Sequence, residues 1–316
     1  MQLSFEQIKT LVVGAVEIWE EEIGLHFGKC TKEQILAWKE IDPTLFNNAI
    51  PTTGVRLDFH TDSDYVKMLL GTDGKYEIKI DGVLKEQYIC TEKNREITIV
   101  LGERGKEKHV VFSLPSHLRA GVISGVEIAD GSYVKKHAFD RKILFVGDSI
   151  TQGYKAVYDM CSYAYQISDY LNADSVIQGI GGSFFAPSTV LPTGYQPNIV
   201  FVAYGTNDFT RLKTIVELEK NAESYISKLQ SLYADAKFFV ISPIWRMDEH
   251  QTREMGEFKA CCDCIKLVAK RLGAEIIDGD TLIPHFSEFM ADDLHPNDLG
   301  FTAYALNALK QLQGKK

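Results

Sequence analysis

The sequence predicts an α/β protein: a parallel five-stranded sheet with helices on both faces, preceded by a β-sandwich of jelly-roll kind. Three observations carry this expectation. Up to about residue 130, apolar and polar residues alternate over short stretches. Beyond about residue 140 they gather into short continuous apolar runs. Between those runs lie amphipathic segments of helix length. Alternation is the period of a strand with one wet face, whereas a continuous run suits a strand covered on both faces, as in parallel sheets.

The opening segment reads as an amphipathic helix with Leu11, Val12, Val16 and Trp19 on one side. Strand patterns follow at 55–61, 64–70, 76–81, 87–90, 96–101, 108–113 and 121–128, and Asp81-Gly82 carries a hairpin signal. The rhythm then changes. Strands are expected at 142–146, 173–177, 198–203, 237–242 and 274–277, with helices at about 160–171, 214–233, 255–272 and 298–312. The expected domains are residues 1–138 and 139–316, packed together because no Gly/Ser linker separates them.

The chain has 316 residues, and 34 basic against 43 acidic residues leave a formal charge of −9. That balance argues against nucleic acid and against anionic membrane surfaces as partners. Glu17, Glu20, Glu21 and Glu22 follow the first apolar stretch too closely for a secretory signal. No segment approaches the roughly 20 apolar residues of a membrane span. The six cysteines are scattered, as suits reduced thiols, and a cytoplasmic location is expected. Cys261-Cys262-Asp263-Cys264 falls within a helical pattern and lacks the paired spacing of a zinc site, so buried thiols are expected there.

Polar residues cluster after the predicted parallel strands, where ligands bind in such sheets. After the first comes Gly147-Asp148-Ser149-Ile150, a serine at a strand-to-helix turn. There it is exposed to a substrate, although Asp148 or Ser149 would also serve as a helix cap. After the second comes Gln178-Gly179-Ile180-Gly181-Gly182-Ser183, where backbone amides can approach a ligand or simply form a tight turn. It lacks the Lys-Ser/Thr ending of a phosphate loop. After the third, Asn207 in Gly205-Thr206-Asn207-Asp208 offers a side-chain donor to an oxyanion, or else a cap. After the fifth, Asp292-Asp293-Leu294-His295-Pro296 puts a carboxylate within one turn of an imidazole.

These four blocks, in this order, resemble the SGNH (GDSL-like) hydrolase family over residues 140–316. The resemblance implies a flavodoxin-like three-layer α/β/α catalytic domain. It also implies Ser149 as nucleophile, His295 as general base and Asp292 as the group that orients it, with no metal or organic cofactor. The oxyanion hole would be the amides of Ser149 and Gly182 with the Asn207 side chain. Ile150 stands where the family's name motif has leucine, and Gln178 replaces a common asparagine. Gly181 is the other candidate for the second amide, and Asp293 is a second carboxylate beside the orienting one.

A β-sandwich ahead of such a domain resembles the two-domain carbohydrate esterases that remove acetyl groups from sugars. The expected activity is therefore hydrolysis of a small-molecule ester such as an acetylated sugar. Long-chain lipase-like hydrolysis, acyl transfer by the same serine, and a non-catalytic glycan- or protein-binding module are the alternatives. Trp245, Tyr154, Phe184 and Phe209 are candidate pocket residues, each equally suited to packing; Phe185 shares that ambiguity. Arg56 is either a solvated strand residue or one that reaches the site.

Overall fold

A computed structural model of the chain describes residues 1–314. The alternating stretches become antiparallel strands. Helix α1 (Phe5–Leu11) leads into β1 (Val12–Val13), β2 (Glu17–Glu21) and β3 (Gly24–Gly28), then α2 (Lys32–Ile41) and α3 (Pro43–Ala49). Next come β4 (Arg56–Thr61), β5 (Tyr65–Leu70), β6 (Gly74–Ile80), β7 (Val83–Cys90), β8 (Glu96–Val100), β9 (Lys108–Ser113), β10 (Val122–Ile128) and β11 (Val134–Lys136). One sheet runs β1-β4-β9-β6-β7 with β11 against β4, and the other runs β2-β3-β10-β5-β8. Alternate residues of both, including Leu57, Phe59, Val66, Met68, Phe112 and Val126, share one core. The Asp81-Gly82 hairpin is present, both residues taking the positive φ that such a turn requires (+49° and +78°).

The opening segment departs from the expectation of one amphipathic helix. The helix ends at Leu11, Val12 pairs with Leu57, and Trp19 lies opposite His26 in a strand. Gly14 is the physical reason. Its φ is +86°, and a Cβ there would stand 2.5 Å from the Gly54 carbonyl oxygen, so the chain turns where a helix would have continued. Helices α2 and α3 were not expected. Thr31 and Gln34 form a reciprocal capping box at the start of α2, and Asp42 caps α3 ahead of Pro43.

The continuous apolar runs become parallel strands. In order these are β12 (Arg141–Gly147), α4 (Ser149–Gln152), α5 (Tyr163–Tyr170), β13 (Ala173–Gly179), β14 (Ile199–Ala203), α6 (Asp208–Arg211), α7 (Ile215–Leu232), β15 (Lys237–Ile241), α8 (Phe258–Arg271), β16 (Glu275–Ile277) and α9 (Asp298–Gln313). The sheet order is β13-β12-β14-β15-β16, all parallel, which is the flavodoxin-like arrangement. Within β12, Leu144 and Val146 pack under α7 and α8, while Ile143 and Phe145 pack under α5 and α9. Both faces of the strand are therefore apolar. All six cysteines are free, and Cys261 and Cys264 are buried in α8. Among the described residues no helix is long and apolar enough to cross a membrane.

Polar groups tie the antiparallel sheets to the parallel one. Lys79 pairs with Asp169 at 2.6 Å and Lys75 with Asp159 at 2.7 Å. Arg56 is neither a solvated residue nor an active-site one. It is buried, pairs with Asp58 at 3.0 Å, and donates to the Ala173 carbonyl at the start of β13, the end of the sheet away from Ser149.

Candidate active site

The site is built at the carboxyl ends of the parallel strands, around the switch point where β13 and β14 leave opposite sides of β12. β12 ends at Gly147, where a Cβ would stand 2.0 Å from Thr151 Oγ1, so α4 packs back on the strand only because this residue is glycine. Asp148 is the helix cap, accepting from the Ile150 amide at 2.9 Å. Ser149 therefore begins the helix, and among the described residues its own amide donates to no protein acceptor.

Ser149 Oγ lies 2.8 Å from His295 Nε2. On the other side of the ring, Nδ1 lies 3.0 and 3.1 Å from the two Asp292 carboxylate oxygens. Asp292 Oδ1 also accepts from the amides of Leu294 (3.0 Å) and His295 (2.7 Å). The Ala291 amide donates to the His295 carbonyl at 2.8 Å and closes the loop. Burial alone would raise the Asp292 pKa, but the two amides and the adjacent imidazole outweigh it and hold the carboxyl below its ordinary value. Burial lowers the His295 pKa, with Asp292 opposing it in part. Asp293 is exposed, and its carbonyl accepts from the Met247 amide. Asp292 is thus the carboxylate brought to the ring.

Two further donors face the same crevice. The Gly181 amide is committed to Gln152 Oε1 at 2.9 Å. The Gly182 amide, at φ +79°, donates to no protein acceptor among the described residues. Asn207 caps nothing with its side chain. One N–H of its Nδ2 donates to the Ser183 carbonyl at 2.9 Å, which orients the amide and leaves its second N–H unused.

Behind these loops sit two buried carboxyls. Burial pushes Asp148 and Asp208 up to about 7 each. Asp208 Oδ1 accepts from the Phe185 amide at 3.1 Å, fixing the glycine loop to the start of α6.

The pocket candidates separate. The Tyr154 ring lies 4.8 Å from the His295 ring and is partly exposed. Trp245 is half-buried and stacks on His285 at 5.1 Å. Phe184 is half-buried between Trp38 (6.4 Å) and the Arg211 guanidinium (5.2 Å). Phe209 is corrected to a core residue. It is wholly buried because the first turn of α6 points it inward onto Phe258, 5.1 Å away, and Phe185 is likewise in the core.

Sequence reasoning missed the groups that the first 120 residues place here. Lys29 Nζ, wholly buried, donates to Thr53 Oγ1 and the Gly179 carbonyl, both at 2.8 Å. Burial pushes its pKa down to about 8. Asn48 Nδ2 donates to the Gly181 carbonyl at 2.8 Å. His117 reaches the Tyr154 ring, 5.8 Å away. The Asp42 cap ahead of Pro43 was the local signal for α3, the helix that carries Asn48.

Fold and motif order together define an SGNH hydrolase. The chain belongs to the GDSL-like lipase/acylhydrolase family, whose sequence profile matches residues 145–303. No curated protein matches it. Among solved structures it is similar to a salicylyl-acyltransferase, SsfX3, from a tetracycline biosynthetic pathway, with a TM-score of 0.83 at 16% identity over 96% of this chain and 94% of that one. It is also similar to a family two carbohydrate esterase from Cellvibrio japonicus (0.69, 17%, 96% and 94%). A third is an acetyl xylan esterase, Est2A, from the rumen bacterium Butyrivibrio proteoclasticus (0.67, 13%, 100% and 98%). At these identities the likeness is one of fold, and it spans both the antiparallel and the parallel sheets.

Proposed function

We propose that the protein is a cytoplasmic serine esterase that removes short acyl groups, acetyl foremost, from carbohydrate hydroxyls. The observation that carries this reading is the unbroken line from Ser149 Oγ through His295 to Asp292, with uncommitted donors on Gly182, Ser149 and Asn207 beside it. In the reaction, His295 Nε2 takes the Ser149 proton as Oγ attacks the ester carbonyl. Negative charge develops on the carbonyl oxygen and is held by the two amides and the Asn207 side chain. The alcohol leaves with the proton from His295, and water repeats the sequence to release the acid. Asp292 keeps Nδ1 protonated and stabilises the imidazolium.

Two features support a short acyl group on a polyol. Leu45 Cδ2 and Arg211 Nη2 lie 3.5 and 3.7 Å from where a Cβ on Gly182 would stand, which confines the space beside the proposed oxyanion hole. On the other side of Tyr154, a cavity of about 400 Å³ sets the polar groups of Lys75, Ser116, His117 and Asp159 beside the apolar Pro115 and Leu118, a mixture suited to a sugar. The carbohydrate esterases among the similar folds agree with this substrate class. Residues 1–138 and 139–316 are taken as the two domains, the first supplying most of this cavity and the second Asp159. Six free thiols accord with a reducing compartment. The salicylyl-acyltransferase fold favours one second reading, in which an alcohol replaces water as acceptor.

The test compares p-nitrophenyl acetate, butyrate and octanoate for wild type and Ser149→Ala, then repeats the acetate assay with added sugar alcohols. Fast acetate turnover that Ser149→Ala abolishes is the expected result. Preference for octanoate would replace the short-acyl reading with a lipase-like one. Acyl sugar formed in place of free acetate would favour transfer. Equal turnover by Ser149→Ala would overturn the nucleophile.

A further inference from the structure

At the opposite end of the parallel sheet, three of the chain's eight histidines come together. His60 on β4 and His109 on β9 are direct cross-strand partners, and His137 follows β11 and donates its backbone N–H to the Asp58 carbonyl on β4. One ring nitrogen from each lies within 4.8 Å of one from each of the others. All three rings are half-buried, neither sealed in the core nor free in solvent.

The surrounding acceptors decide which nitrogen each ring turns inward. His109 Nε2 lies 2.7 Å from Asp58 Oδ1. His137 Nε2 lies 2.8 Å from Asn172 Oδ1, an oxygen that can only accept. His60 Nδ1 faces Glu107 Oε1 at 3.6 Å. The outer nitrogens of His109 and His137 therefore carry their rings' protons, and the inner nitrogens of these two rings are left with lone pairs. The consequence is sharpest between His60 Nε2 and His137 Nδ1, which stand 2.9 Å apart. There His60 Nε2–H donates to the His137 Nδ1 lone pair, so the nitrogens a metal would take face one another. That hydrogen bond serves one pair only, and among the described residues the inner nitrogen of His109 has no hydrogen-bond partner. Imidazoles whose second nitrogen donates to a carboxylate or amide oxygen are the usual arrangement around a bound metal.

We propose that His60 Nε2, His109 Nδ1 and His137 Nδ1 bind one divalent first-row cation of the imidazole-preferring group, such as zinc. Asp58, Asn172 and Glu107 act as the outer acceptors that set the ligand tautomers. Binding moves the His60 proton from Nε2 to Nδ1, which faces Glu107, and water completes the coordination. The site lies beside Asn172, which immediately precedes β13, whereas Gly179 at the far end of that strand packs against α4, the helix that Ser149 begins. Seven residues of strand separate the two by about 20 Å. The cation would fasten β4, β9 and the segment after β11 to the loop before β13, and would take no part in ester hydrolysis.

The test uses untagged protein stripped with a chelator, titrated with Zn²⁺ by calorimetry in two buffers of different ionisation enthalpy. The expected result is one Zn²⁺ per chain in both buffers, and a rise in Tm. His60→Gln and His109→Gln should each abolish binding, while His250→Gln, an exposed control, should not. Asn172→Gly, which keeps the positive φ of that residue but removes its acceptor, should weaken binding by about 10–100-fold. Acetate ester turnover should be the same with and without the chelator. Should a ligand variant fail to fold, Co²⁺ added to wild type serves instead: a visible d–d spectrum of nitrogen ligation supports the site, and its absence counts against it. No Zn²⁺ uptake by wild type, or uptake unchanged in both His60→Gln and His109→Gln, would overturn the proposal.

Discussion

The two edges of the parallel sheet are covered by the same antiparallel sheets in opposite ways. At the amino edge the crossing polar groups serve to hold surfaces together: Arg56 is shared between Asp58 and the Ala173 carbonyl, and Lys79 meets Asp169. At the carboxyl edge the contacts stand behind the loops. Lys29 and Asn48 bind the carbonyls of Gly179 and Gly181, and Gln152 holds the Gly181 amide while donating to the Ser116 carbonyl. The amides on the reacting side are left uncommitted. A fastening edge uses up its donors, whereas a reacting edge saturates the back of each loop so that the front can wait, preorganised, for charge to develop.

The comparison breaks most visibly at Asn207. Asn207→Ala should lower kcat by about 10²–10³ while Tm and far-UV circular dichroism stay near wild type. Full activity in that variant would remove Asn207 from the oxyanion hole. Lys29→Met strikes the back of the loop instead. It strands the Gly179 carbonyl in a dry site, while the Thr53 hydroxyl keeps its bond to the Ser116 carbonyl, so urea unfolding should show a loss of about 1–3 kcal/mol, with a fall in kcat smaller than that of Asn207→Ala. An equally stable and active variant would mean that the carboxyl edge needs no such backing.

A pH profile sharpens the same contrast. With His295 as general base, kcat/KM should rise with pH and level off above a midpoint below the imidazole's ordinary 6.5, because burial disfavours the charged ring. Asp292→Asn should shift that midpoint lower still, since the carboxylate raises it. A midpoint above 6.5 in wild type would contradict the burial argument.

The last contrast lies in the two buried carboxyls. Asp148 and Asp208 titrate near 7 when folded against an ordinary 3.8, so between those values the folded chain holds protons that the unfolded chain has lost. Their contribution to stability therefore falls as pH rises through that window. Urea midpoints at pH 5 and pH 7.5 should show a smaller fall for Asp208→Asn than for wild type, and an equal fall would place the proton elsewhere.

What could be read in advance follows from how local each signal is. Ser149, His295 and Asp292 lie in blocks of a few residues at strand ends, so neighbours in sequence are neighbours in space. The choice between Gly181 and Gly182 needed a partner from α4, Gln152, to occupy one amide. Phe209 looked like a pocket residue because it follows Asn207, yet one helical turn is enough to point it into the core. Val12, Val16 and Trp19 fit a helical period, and Gly14 with its close approach to Gly54 overrode that pattern.

The sequence by itself determined the change of period near residue 140, and hence parallel strands that need cover on both faces. It also carried the proposed catalytic motifs, each a block of a few consecutive residues. Only the tertiary structure decided what stands behind and around them. Lys29 meets Gly179 across 150 positions of chain, and His60, His109 and His137 meet across three separate segments. Contacts of that range leave no spacing to read, because they are set by which strands pair and which sheet faces meet.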